Sequence, residues 1–206
     1  MALPRFAVVD LETSGFSTRR HRILQIGLVL VDADGQIHDR WSSLVALRWP
    51  YGRVGPTHVH GLTRGSLRDA PRLQPTLDEL GRRVDGALLT AHNARFDGGF
   101  LARASRRRPP DDPLRAAAAT PLCTLRMSRR LDPERERSHR LGDLAERYDV
   151  PLDRAHDALA DAEATARVLP HLLAEHDIET PGDLVPFLVD TGRQPKRRRR
   201  HRVHQR

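Results

Sequence analysis

Phe6-Ala7-Val8-Val9-Asp10-Leu11-Glu12-Thr13-Ser14-Gly15 is the stretch on which the reading of this chain turns. An apolar, β-branched run leads into two acids and then a Ser-Gly break, the pattern of a short buried strand that ends in a turn. Side chains alternate faces along a strand, so Asp10 and Glu12 project the same way. Two carboxylates at the end of a buried strand repel each other and lose hydration unless a cation lies between them. A hard divalent ion such as Mg²⁺ or Mn²⁺ meets that need most simply. The plain alternative is a strand that ends in solvent, since Asp-x-Glu is short enough to arise by chance.

At 206 residues the chain suits one well-packed α/β domain. Cys123 is its single cysteine, which excludes an internal disulfide framework and a thiolate metal cage and fits a reducing compartment. The chain does not open on a basic stretch followed by an apolar core, and no apolar run is long enough to span a bilayer. The expectation is a soluble, cytoplasmic protein with no membrane partner.

The net charge of +8 is local. Arg193, Lys196, Arg197, Arg198, Arg199, Arg200, Arg202 and Arg206 supply all of it in a tail without acids, so residues 1–192 balance 27 acids with as many bases. The expected domain spans residues 1–192, and residues 193–206 read as a disordered basic tail. That tail is either a salt-sensitive phosphate-binding arm or simply solvated.

Beyond the first strand, Ile23 to Asp32 is a second β-rich run, Asp34-Gly35 supplies a turn, and Ile37 to Leu47 alternates as a third strand, together an antiparallel meander. Trp49 to Pro56 is turn-rich, and Thr63 is placed to cap a short helix. Leu77, Leu80 and Val84 fall at helical spacing within Pro75 to Val84. Ala87 to His92 reads as a buried strand that runs out into a helix bearing Asp97. That is where α/β sheets present chemistry, although an acid in a first turn also answers the helix dipole. Residues 106–113 read as a loop, its arginines either on phosphate or, preferably, in solvent. Pro121 to Thr124 suggests a short strand with a helix from Leu125, and His139 to Tyr148 another helix.

His156-Asp157-Ala158-Leu159-Ala160-Asp161-Ala162 opens an alanine-rich helix that extends to about Leu173. Five helical steps would leave His156 and Asp161 about 140° apart. His156 is therefore expected on the preceding loop, with Asp157 as N-cap in preference to a ligand. Pro181 to Val189 ends the fold as a short helix capped by Gly182-Asp183. Brought together, Asp10, Glu12, Asp97 and Asp161 match the oxygen-only coordination of two Mg²⁺ ions about 4 Å apart, suited to phosphodiester hydrolysis, with His156 titrating in the range of a base.

Asp10-Leu11-Glu12-Thr13-Ser14-Gly15, His92-Asn93-Ala94-Arg95-Phe96-Asp97 and the His156 to Ala162 segment resemble, in order, the three motifs of the DEDDh family of 3′–5′ exonucleases, which includes the proofreading epsilon subunit of bacterial DNA polymerase III. The resemblance covers residues 5–173 and implies a ribonuclease-H-like α/β fold, a mixed five-stranded sheet flanked by helices. It implies that Asp10, Glu12 and Asp161 hold the metals, that Asp97 supports the second one through water, and that His156, with Glu12 beside it, is catalytic. Thr13, Ser14 and His60 would meet the terminal nucleotide, Asn93 would orient the strand end, and Phe96 would either stack on a base or belong to the core. The substrate implied is the 3′ end of single-stranded nucleic acid, in DNA repair or beside a polymerase. No convincing clamp-binding peptide follows the domain, which favours a free-standing enzyme. The competing readings are an RNA-trimming enzyme and a non-catalytic binding subunit working through its tail.

Overall fold

The computed structural model describes residues 2–47, 52–152 and 155–192. Strands β1 (Phe6–Thr13), β2 (Ile23–Val31) and β3 (Ile37–Leu44) form the expected antiparallel meander. Helix α1 (Thr57–His60) and helix α2 (Leu73–Val84) precede strand β4 (Leu88–Ala91), which lies parallel to β1. Helices α3 (Ala94–Ser105) and α4 (Pro113–Ala119) lead to strand β5 (Leu122–Cys123), parallel to β4. Helices α5 (Thr124–Arg130), α6 (Leu141–Arg147) and α7 (Ala158–Glu175) follow, then a 3₁₀ turn at Pro181–Phe187. The sheet order is β3-β2-β1-β4-β5, mixed and five-stranded as expected.

β1 is buried on both faces because helices cover both sides of the sheet. Ala7, Val9 and Leu11 pack with Leu77 and Leu80 of α2 and Leu101 of α3. Phe6 and Val8 pack on the other face with Ala162, Ala166 and Leu169 of α7. A strand's period of two thus assigns Asp10 and Glu12 to the α7 side before any detail of the site is considered. The end of the described chain closes this second layer: Leu184 and Phe187 join its core, and Val189 N–H donates to the Pro121 carbonyl at 2.9 Å.

Several local expectations shift. The short helix near Thr63 lies upstream at α1, while residues 64–69 are turns, and Thr63 Oγ1 accepts from Ser66 N–H at 3.2 Å instead of capping a helix. The loop expected over residues 106–113 stops at Asp112. Asp112 accepts from Arg115 N–H at 3.0 Å as N-cap, Pro113 suits the first position, and four alanines continue α4. The final turn is 3₁₀ and is capped by Thr180, with Asp183 completing the box, rather than by Gly182-Asp183. The basic tail and residues 48–51 at the start of the turn-rich stretch lie outside the described residues. Among the described residues no helix is long and apolar enough to cross a membrane.

Candidate active site

The parallel pairing of β1 with β4 ends at Val8 and Thr90, so Asp10 and Glu12 stand beyond the last rung, above the carboxyl end of β4. There the chain turns through Asn93, whose left-handed φ of 65° lets β4 pass directly into α3. Asp97, in the first turn of α3 and buried, accepts a hydrogen bond from Leu11 N–H at 3.2 Å. A carboxylate from the second motif is thereby fixed to the backbone between the two acids of the first.

The third motif arrives through a close approach of backbones. Gly27 pairs with Asp10 across the β1–β2 ladder, and a Cβ at Gly27 would lie 2.1 Å from the Ala158 carbonyl oxygen. Only glycine lets the start of α7 rest on the sheet at that point. Gln25, the partner of Glu12, fixes the same helix end: its amide donates to Asp157 Oδ2 at 3.2 Å and its carbonyl oxygen accepts from Ala158 N–H at 3.5 Å. Asp157 caps α7 as expected, accepting from Ala160 N–H at 3.1 Å. His156 sits on the preceding loop with a left-handed φ of 67°, and its N–H donates to Asp161 Oδ2 at 3.1 Å. One ligand atom each from Glu12, His156 and Asp161 lies within 4.8 Å of the others.

The electrostatics follow from this crowding. Burial, then the charges of Asp97, Asp161, Glu12 and Asp157, raise the Asp10 carboxyl well above its ordinary range. Burial, then Asp161 and Asp157, push Glu12 up to about 7. Burial also dominates at Asp97, raised to about 8 against the hydrogen bond from Leu11 N–H. Asp161 is raised by burial and lowered in part by His156. Carboxylates that resist ionisation because they are buried, and in addition face one another, are a donor set for a hard divalent cation, which would supply the missing positive charge. Glu12, Asp161 and His156 stand close enough to share one such ion, and Asp10 and Asp97 add their charge beside them.

The expected substrate contacts are placed less simply. Thr13 and Ser14 are buried, and their hydroxyls serve the turn: Thr13 Oγ1 donates to the Gly15 carbonyl at 3.0 Å, and Ser14 Oγ accepts from Arg22 N–H at 2.9 Å. His60 is buried, accepts from Leu62 N–H through Nδ1 at 3.0 Å, and leaves Nε2 without a partner. Asn93 is exposed and makes no side-chain cap. Phe96 packs against Phe100 and meets the edge of Phe16, which is 89% exposed. His92, in the second motif, is structural: its ring bridges Thr124 Oγ1 and the His139 carbonyl, each at 3.0 Å, and burial pushes its pKa down to about 4.

Gln25, Gly27 and Phe16 escape a reading of the sequence alone. A glycine and a glutamine inside an otherwise apolar run are the available signal, since both are unusual in a buried strand.

Residues 7–169 match a family described as Exonuclease. A DNA polymerase III of PolC type from Oceanobacillus iheyensis is 34% identical over 167 residues, covering 80% of this chain and 11% of the polymerase. The chain thus spans about a ninth of that relative's length. E. coli exonuclease I in complex with a dT13 oligonucleotide superposes with a TM-score of 0.71 at 20% identity, covering 85% of this chain and 42% of that one. The nuclease domain of 3'hExo, a DEDDh family member, bound to rAMP, superposes with a TM-score of 0.70 at 16% identity, covering 86% and 95%. These two likenesses show the fold.

Proposed function

This chain belongs to the exonuclease family, and we propose that it is a divalent-metal-dependent 3′–5′ exonuclease acting on single-stranded nucleic acid, DNA in preference to RNA. The observation that carries the proposal is the meeting of Asp10, Glu12, Asp97 and Asp161 from three distant segments beside His156. The PolC-type relative favours DNA and a place beside a polymerase or in repair. We assign the exonuclease domain to residues 1–192 and a phosphate contact to the basic tail, and place the protein in the cytoplasm.

Asp10, Glu12 and Asp161 would hold Mg²⁺ or Mn²⁺ directly, with Asp97 supporting a second ion. A cation pair there supplies charge to the attacking and leaving oxygens of the phosphodiester. The protein's own part is positional and protonic. His156 accepts a proton from the attacking water through its imidazole, while its backbone N–H orients Asp161. Water adds at phosphorus, the bond to the 3′ oxygen of the penultimate nucleotide breaks, and a nucleoside 5′-monophosphate leaves. Phe16, exposed at the mouth beside Phe96, offers a face on which the terminal base stacks. Thr13 and Ser14 shape the turn that presents their backbone to that nucleotide, and His60 Nε2 and the Asn93 amide are the groups left to contact it.

Digestion of matched 3′-labelled single-stranded DNA and RNA in Mg²⁺ and in Mn²⁺ tests the proposal. Stepwise release of mononucleotides, faster from DNA, is the expected result. A faster rate on RNA would make the enzyme an RNA trimmer, and no release with either metal would leave a binding module.

A further inference from the structure

The far end of α3 gathers a set of cations that the active site does not use. Arg103, Arg106, Arg107 and Arg108, with Gln74 and Ala104, line a cavity of about 410 Å³. Arg108 is neutralised, bridged to Asp78 and Asp112 at 2.7 Å each. Arg103, Arg106 and Arg107 are exposed, and among the described residues no ion pair is formed by any of them. Three uncompensated guanidiniums held close together repel one another, and an anion with several oxygens is what relieves that repulsion. The first turn of α2, which carries Gln74, adds the positive end of a 12-residue helix.

Helix α3 links the cavity to the catalytic end, since it carries Asp97 in its first turn and Arg103 in its last. Residues eleven apart on a helix differ by about 20°, so Arg95 and Arg106 share one side of α3, with Arg103 close by. That side is the open one, with Arg95, Arg103 and Arg106 exposed and Gly99 and Ala102 half-buried, and Thr18 Cγ2 is the neighbour that a Cβ at Gly99 would meet, at 3.5 Å. Arg19 and Arg20 are exposed on the loop that follows Thr18.

We propose that this arginine cavity is an exosite for the phosphate backbone of the substrate strand, which runs from the active site along the open side of α3. The proposal rests on the nuclease reading. Arg106 lies nine residues beyond Asp97, about 14 Å along the helix. A stacked strand rises about 3.4 Å per nucleotide, so the cavity takes phosphates about four nucleotides or more from the 3′ end.

The test is equilibrium binding of fluorescent 20-mer and trimer single strands to the full chain in chelator, as a function of salt, for the wild type and for Arg103→Ser/Arg106→Ser/Arg107→Ser. Among the described residues none of these side chains carries an ion pair, so the variant folds, and its unfolding midpoint confirms that. For a single strand, every phosphate that the protein ceases to neutralise makes the slope of log affinity against log salt shallower by about 0.7, so the 20-mer slope flattens by about 2 while trimer binding is unchanged. An unchanged 20-mer slope, or an equal loss for the trimer, overturns the exosite. Turnover of the trimer in Mg²⁺ is read separately. A wild type that binds as expected but never cleaves would sink the nuclease reading and leave the cavity as a nucleic-acid site.

Discussion

Gly27 faces Asp10 across the β1–β2 ladder, and the side chain it lacks is what admits the Ala158 carbonyl at the start of α7. Gly27→Ala must therefore lift α7 from the sheet and carry Asp161 away from Asp10 and Glu12. Overpacking of this kind costs about 1–3 kcal/mol, and more where backbone is the obstacle. The expected outcome is a lower unfolding midpoint together with loss of cation-dependent turnover. Gly142→Ala, a helical position with nothing within 4 Å of its added methyl, leaves turnover unchanged and does not lower the midpoint.

Gln25 acts through Asp157. Gln25→Leu keeps the volume but strips two hydrogen bonds from the N-terminus of α7, leaving the Ala158 N–H buried without a partner. A loss of about 1–3 kcal/mol is expected. Asp157→Ala removes the cap for about 1 kcal/mol. Because the two side chains share one bond, the double variant costs less than the sum of the singles, which a double-mutant cycle by chemical denaturation reads directly. Additive losses would mean that the pair does not act as a unit.

The raised carboxyls give the metal-free protein a signed pH dependence. Glu12 and Asp97 titrate at about 7 and about 8 in the folded state and at ordinary carboxylate values, near 4, in the unfolded chain. Between pH 6.5 and 8 the folded protein still holds protons that the unfolded chain has released, so stability falls as pH rises. His92, pushed down to about 4, works in the opposite direction, but only below about 6.5, where the unfolded chain takes up its proton. The unfolding midpoint in chelator should therefore drop from pH 6.5 to pH 8, and Mg²⁺ should flatten that drop. A midpoint that rises over this interval in chelator contradicts the electrostatic account.

His156 holds a left-handed backbone that asparagine also tolerates, so His156→Asn preserves the loop while removing the proton acceptor. A fall in kcat of about 10²–10⁴ with little change in the unfolding midpoint is expected. A wild-type kcat would remove His156 from the proton transfer.

How much of this is legible in the sequence depends on the range of the signal. The meander, the strand ahead of Asp97, the loop position of His156 and the Asp157 cap all follow from periodicity and capping over a few residues, and each is observed. Asp97 is a clear case: its place in a first turn is readable, but its bond to Leu11 N–H joins residues 86 apart. The role of Gly27 is hidden for the same reason, because what it accommodates is the backbone of a helix that begins 131 residues later. Helix α4 escapes on weaker grounds: a proline that starts a helix reads equally well as the end of a loop. Thr13 and Ser14 are expected to offer backbone or hydroxyl groups to the nucleotide, and the tight turn takes the hydroxyls inward, which leaves the backbone.

The most direct measurement follows a 5′-labelled single-stranded oligonucleotide with the wild type and Asp161→Asn, in Mg²⁺, in Mn²⁺ and in excess chelator. Shortening from the 3′ end by the wild type with either metal, none in chelator, and none above the chelator background with Asp161→Asn is the predicted result. Equal shortening in chelator, or wild-type rates from Asp161→Asn, would contradict it.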